Sequence, residues 1–136
     1  MSAISASRDE REVREAVEAI VRAFSDGRVD DYFSFFHPDC SFVFYTNERR
    51  LNSPVEYRSL WERWVAEDGF EVRSCLTRDK RVQLWGDSAV VTHEVETHVS
   101  THSSEDVLFE HETIVLVRAA DGRWLAVHEH LSPAKR

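Results

Sequence analysis

Val13, Val17, Ile20, Val21 and Phe24 recur at intervals of one, three or four residues, which places them on one face of an α-helix. The spacing predicts a helix over 8–25. Ser7 and Glu10 stand as a capping box at its start, and Asp26-Gly27 ends it. A short second helix is expected to begin at Asp30 and Asp31. Asp30 reads as its cap and Asp31 as a first-turn acid favoured by the helix dipole. Tyr32, Phe33, Phe35 and Phe36 give it a large aromatic area. His37-Pro38 stops it, because a residue before proline avoids helical geometry. A strand over 41–46 follows. Ser53-Pro54-Val55-Glu56 is a second capping box with proline at the first helical position. Tyr57, Leu60, Trp61, Trp64 and Val65 form one stripe of this third helix, and Gly69 fits its left-handed end.

From Phe70 onward the period becomes two. Four β segments fit, at 70–85, 88–101, 107–118 and 123–131, and their joins are short enough to require antiparallel hairpins. Helices first and an antiparallel sheet afterwards define an α+β fold with the helices on one face.

Charge then assigns the faces. Val91, His93, Val95, Thr97 and Val99 alternate with Thr92, Glu94, Glu96 and His98. In the next segment Phe109, His111, Thr113, Val115 and Val117 alternate with Glu110, Glu112, Ile114, Leu116 and Arg118. The faces carrying His93 and His111 hold no carboxylate and are expected to meet the helices. Pairing Arg118 with Arg123 across the Ala119–Gly122 loop puts Trp124, Ala126, His128 and His130 on that inner face too. A slip of one residue would bring in Glu129 instead.

The chain has 136 residues, with 42% hydrophobic and 31% charged side chains, which suits a single globular domain. The domain is expected over 8–132, with tails at 1–7 and 133–136. A net charge of −8 argues against a nucleic-acid partner. No apolar run is long enough for a membrane span, no secretory signal is visible, and Cys40 and Cys75 form no disulfide framework. A cytoplasmic location is therefore expected. Four glycines and no GxSxG elbow leave no phosphate loop or dinucleotide fingerprint, so no cofactor is expected.

The run Asp121-Gly122-Arg123-Trp124-Leu125-Ala126-Val127-His128-Glu129-His130-Leu131-Ser132 resembles the ending of SnoaL-like domains, in the nuclear transport factor 2-like superfamily. It is similar also to that of the calcium/calmodulin-dependent kinase II association domain. Gly86-Asp87-Ser88-Ala89 resembles the turn before their central strand. The resemblance implies a cone-shaped α+β barrel, a pocket between three N-terminal helices and a curved antiparallel sheet, and a homodimer. The arginines of the kinase association pocket fall here near Val95, Val115 and Leu131, so anion binding is not carried over.

The inner histidines are the first candidates for chemistry. His93 or His128 would be a general base at neutral pH, and Tyr45 or Tyr32 a donor to a developing oxyanion. Tyr32, Tyr57, Trp61, His111, Thr113 and His130 would line a cavity for an apolar, ring-containing small molecule. The same imidazoles also read as core-edge residues bonded to the backbone, and the aromatic stripe as plain core. His128-x-His130 with His111 is a weak metal pattern that no third ligand type completes, and no metal is expected. Glu94, Glu96, His98, Glu110 and Glu112, with Val90, Ile114 and Leu116, are expected on the outer face as a mixed surface with a dimer contact. Two functions remain open. One is a small-molecule binder, or a cofactor-independent isomerase, cyclase or dehydratase acting by proton transfer. The other is a non-catalytic homo-oligomerisation module.

Overall fold

The computed structural model describes residues 3–135. There are three α-helices among the described residues: α1 Ala3–Ser25 and α2 Val29–Ser34 precede the first strand, and α3 Pro54–Arg63 follows it and continues through a single π-helical turn, Trp64–Asp68. Five strands, β1 Phe36–Phe44, β2 Glu71–Trp85, β3 Ser88–Ser100, β4 Glu105–Arg118 and β5 Trp124–Pro133, form one sheet in the order β1-β5-β4-β3-β2. The fold is α+β, as the sequence implies. The sheet is not wholly antiparallel, because β1 runs parallel to β5. Among the described residues no helix is long and apolar enough to cross a membrane.

Several boundaries differ from the expected ones. α1 begins at Ala3, so Ser7 lies inside the helix and its box with Glu10 does not start it. No glycine or proline precedes Ser7 to prevent the extra turn. α2 is preceded by Arg28, which makes no side-chain cap, and both Asp30 and Asp31 lie in the first turn. Asp30 is therefore not the cap; it pairs with Arg58 of α3, and Asp31 pairs with Arg28 at 2.7 Å. β1 starts at Phe36 rather than 41, and its pairing with β5 is irregular between Phe36 and Ser41, the stretch that holds Pro38.

α3 begins as expected: Ser53 Oγ accepts from the Glu56 N–H at 3.1 Å. The Glu56 carboxylate accepts in turn from the Asn52 N–H at 2.7 Å, one residue before the cap. Gly69 closes the π turn at φ 65°. A Cβ at that position would run into the His102 ring, so glycine is required by both conformation and space.

α1 packs on β2, and α3 on β1. The core between helices and sheet has two parts. Toward the β2–β3 turn, Ala89, Val91, Ile114, Leu116, Trp124 and Ala126 are buried with Val13 and Val17 of α1. Arg118 seals this end, 4.8 Å over the Trp124 ring and 2.8 Å from the buried Asp9 carboxylate. Toward the other end the strands carry polar side chains, and the space above them is not filled.

Candidate functional site

One irregularity in β5 builds the site. Ala126 pairs with Leu116, but His128 pairs with Val115, so Val127 is an extra residue, a β-bulge. Trp124 and Ala126 face the helices as expected. Beyond the bulge the alternation is re-phased, and Glu129 and Leu131 face inward in place of His128 and His130. On β4 the inner residues are Glu110, Glu112, Ile114 and Leu116, opposite Val95, His93, Val91 and Ala89 of β3. The outer placement expected for Glu110, Glu112, Ile114 and Leu116 is thereby corrected.

His111, Thr113, His128 and His130 consequently lie on the other face of the sheet, away from the helices. There His128 Nδ1 and Ser41 Oγ are 2.8 Å apart, and the His128 and His130 rings are 6.2 Å apart. Partial burial and the neighbouring His130 push the His128 pKa down. Among the described residues no group of three or more histidine, cysteine, aspartate or glutamate side chains is arranged to hold a metal ion.

The inner face holds two joined chambers. The deeper, about 50 Å³, is lined by Ile20, Val21 and Phe24 of α1, Tyr32, Tyr57, Cys75, Thr97, and the carboxyl groups of Glu110, Glu112 and Glu129. The wider, about 270 Å³, opens from it between Phe24, Phe44, Tyr57, Trp61, Trp64, Phe70 and Leu131. Glu110, Thr97 and Tyr57 line both and mark the neck. α3 presents Tyr57 and Trp61 one turn apart, and α2 brings Tyr32 to Tyr57, their hydroxyls 3.0 Å apart and buried. Trp61 meets Phe70 edge-on at 5.3 Å.

The polar groups on the floor differ in state because their surroundings differ. Glu129 is 2% exposed. It has no hydrogen-bond partner among the described residues. Burial and the nearby Glu112 charge raise its pKa well above the ordinary carboxylate range, which favours the protonated acid. Glu112 accepts from His93 across a 2.7 Å contact between Oε1 and Nε2. The His93 side chain is fully buried, and its Nδ1 has no partner. These contacts suit the Nε2–H tautomer, since a proton on Nδ1 would find no acceptor. Glu110 is raised by burial, an effect opposed by the Tyr45 hydroxyl beside it. The Tyr45 phenol, partly buried and next to Glu110, is raised as well. Burial raises Tyr32 and Tyr57, leaving both as neutral donors. Burial also pushes the Cys75 thiol up to about 12, so it packs the wall as an unreactive group.

Of the residues picked from sequence, Tyr32, Tyr57 and Trp61 thus line the chambers. Tyr45 stands at their edge against Glu110, 43% exposed. His93 lies behind Glu112 and does not line either chamber. Glu110, Glu112 and Glu129 were assigned no site role from sequence. The signal available was the antiparallel register, which places Glu112 beside His93, and the one-residue slip of β5 that brings Glu129 inward.

A family model of the SnoaL-like domain matches residues 13–135. The chain belongs to the SnoaL-like domain family. No curated protein matches it. Solved structures with the same fold include a protein provisionally named scytalone dehydratase from Novosphingobium aromaticivorans. It has a TM-score of 0.82 at 12% identity, covering 98% of this SnoaL-like chain and 89% of the other. A ketosteroid isomerase-like protein from Erwinia carotovora atroseptica gives 0.77 at 16% identity, covering 93% and 96%. A provisionally named calcium/calmodulin-dependent kinase II association domain from Exiguobacterium sibiricum gives 0.77 at 15% identity, covering 100% and 97%. At these identities the likeness establishes the nuclear transport factor 2-like fold of the SnoaL-like chain. Its chemistry has to be argued from its own residues.

Proposed function

We propose that this SnoaL-like protein binds a small, ring-containing organic molecule in the double chamber and moves a proton on it without a cofactor. The carrying observation is the pair Glu112 and Glu129 on the deep chamber's wall: Glu112 is partly buried and bonded to an imidazole, and Glu129 is buried, unpartnered among the described residues and held toward its neutral form. A carboxyl held neutral beside one that accepts from an imidazole allows the two to take the roles of acid and base. Glu112, oriented by His93, is the base. Protonated Glu129, with the Tyr32–Tyr57 hydroxyl pair, donates hydrogen bonds to an oxygen on which negative charge develops. Abstraction of a proton beside a carbonyl forms an enol held by those donors. Return of the proton elsewhere gives isomerisation, and loss of a neighbouring hydroxyl as water gives dehydration; an intramolecular attack of the enol carbon gives cyclisation. In this reading His93 is a positioning residue rather than the base itself. The names of the dehydratase-like and isomerase-like structures are consistent with such chemistry.

The test is a thermal-shift screen of the purified protein against flat ketones, phenols and steroids. Ketones that bind are then followed for deuterium exchange at the carbon beside the carbonyl. Glu112→Gln should keep binding and lose exchange by a factor of about 10² to 10⁴. Equal exchange in the wild type and in Glu112→Gln overturns the catalytic reading, and a screen without any shift counts against the cavity as a binding site.

A homo-oligomerisation module is the second reading. Its support is the half-buried cross-strand pair Val90 and Val115 on the outer sheet face, with a kinase association domain among the similar structures. Val115→Glu would then yield a monomer by light scattering, whereas a wild type that is already monomeric removes this reading.

A further inference from the structure

Every charged side chain lining the two chambers is acidic. Glu112 and Glu129 lie deep, Glu110 stands at the neck and Asp68 at the mouth. No lysine, arginine or histidine is among the lining residues. Glu129 is 2% exposed, lines the deep chamber and has no hydrogen-bond partner among the described residues. Glu110 is 5% exposed and, among the described residues, is bonded by the Tyr45 hydroxyl alone. Carboxyl groups buried without a counter-ion are costly, and proteins normally pair them with arginine or lysine. Here the place of that counter-ion is open space. The wall beside it is aromatic, with Phe44, Trp61, Trp64 and Phe70 around the neck and the wide chamber.

We infer that the ligand is a cationic aromatic amine, its ammonium group seated at Glu110 and its ring among Trp61, Trp64 and Phe70. An ammonium at the neck supplies the positive charge that this part of the fold lacks. Each N–H donates to a carboxylate oxygen, and the aromatic rings add cation–π attraction. An anionic ligand meets the acidic groups of Glu110, Glu112 and Asp68 and no positively charged side chain among the described lining residues, so carboxylates and phosphates are rejected. This inference rests on the reading of the chambers as a binding site and adds the charge of the ligand to it.

The experiment uses one ring with three charges. Naphthylmethylammonium, naphthylmethanol and naphthoate are titrated into the full chain by calorimetry, and again into Glu110→Gln. The amine is expected to bind about tenfold or more tightly than the alcohol, the step for a charge-assisted over a neutral hydrogen bond. Naphthoate should show no binding. Glu110→Gln should bring the amine down to the alcohol's level. Equal affinity for amine and alcohol, or binding of naphthoate, overturns the inference while leaving the chambers as a binding site. So does an amine preference that survives in Glu110→Gln, since the overall charge of −8 would then be its source. If none of the three compounds binds, and the ketone, phenol and steroid screen is also blank, both the inference and the binding-site reading fall.

Discussion

Strands β3, β4 and β5 each pass through two different interiors. In the half near the β2–β3 turn their inward side chains are Ala89, Val91, Ile114, Leu116, Trp124 and Ala126, all buried and closely covered by α1. Past the bulge at Val127 the same three strands turn His93, Val95, Thr97, Glu110, Glu112, Glu129 and Leu131 inward, and the helices leave chambers above several of them. The inward strand side chains of the first half are all aliphatic or aromatic. The second breaks the rule that charge faces water, and it is where the cavity lies. Violations of local consistency concentrate where a protein has something to do other than fold. Stability comes from the closed half, and the open half carries groups whose burial works against it.

That contrast can be broken most forcefully from the closed side. Leu116, 0% exposed, should cost about 2–5 kcal/mol on truncation to alanine, the range for a fully buried leucine that leaves a cavity. Urea denaturation reads this directly, and a loss below about 1 kcal/mol would mean the closed half is not the stabilising one. Next comes the support of the open half. Ser53→Ala removes the side-chain acceptor at the start of α3, the helix that carries Tyr57 and Trp61, and should cost about 0.5–2 kcal/mol by the same measurement.

Glu129→Gln is expected to act in the opposite direction. A carboxyl whose folded pKa is raised holds its proton in the native state after the unfolded chain has released it. The native state then binds more protons, so stability falls as pH climbs above the ordinary carboxylate value of 4.5 toward the raised one. Glu129→Gln should flatten that decline and melt above the wild type at neutral pH. A wild-type melting temperature that declines equally in both proteins would place the titrating group elsewhere. The smallest effect is expected at the outer surface. Arg78 reaches Glu96 at 3.3 Å and Glu94 at 4.0 Å while nearly half exposed, and Arg78→Ala should change stability by about 0.5 kcal/mol or less.

The order of elements was legible because each has a local cause: a stripe of apolar residues, a Ser53 cap with Pro54, a left-handed Gly69. The inner face of β3 was legible for the same reason, since its other face carries Glu94 and Glu96. The site was not, and two strands account for most of that. On β4 both faces carry polar groups and both carry large apolar ones, so charge selects the wrong side. Glu110 and Glu112 are inward because β4 pairs with β3 through His93 opposite Glu112, a long-range fact. On β5 the extra residue Val127 re-phases the strand. A bulge leaves no mark in an alternating run such as Ala126-Val127-His128-Glu129, so His128 stands where the uninterrupted pattern would put a cavity residue. Tyr57 and Trp61 line the chambers as the helical stripe implied, because helical spacing is not subject to a one-residue slip in the same way.

The central claim is that Glu129, buried beside Glu112 on the floor, keeps its proton above the ordinary carboxylate range. A carbon-detected NMR titration of the glutamate side-chain carboxyls tests it most directly, with Glu129→Gln to assign the signal. The account predicts one carboxyl that titrates well above the ordinary range and disappears in Glu129→Gln. If every glutamate titrates in the ordinary range, or if the raised signal survives in Glu129→Gln, the floor holds no acid–base pair.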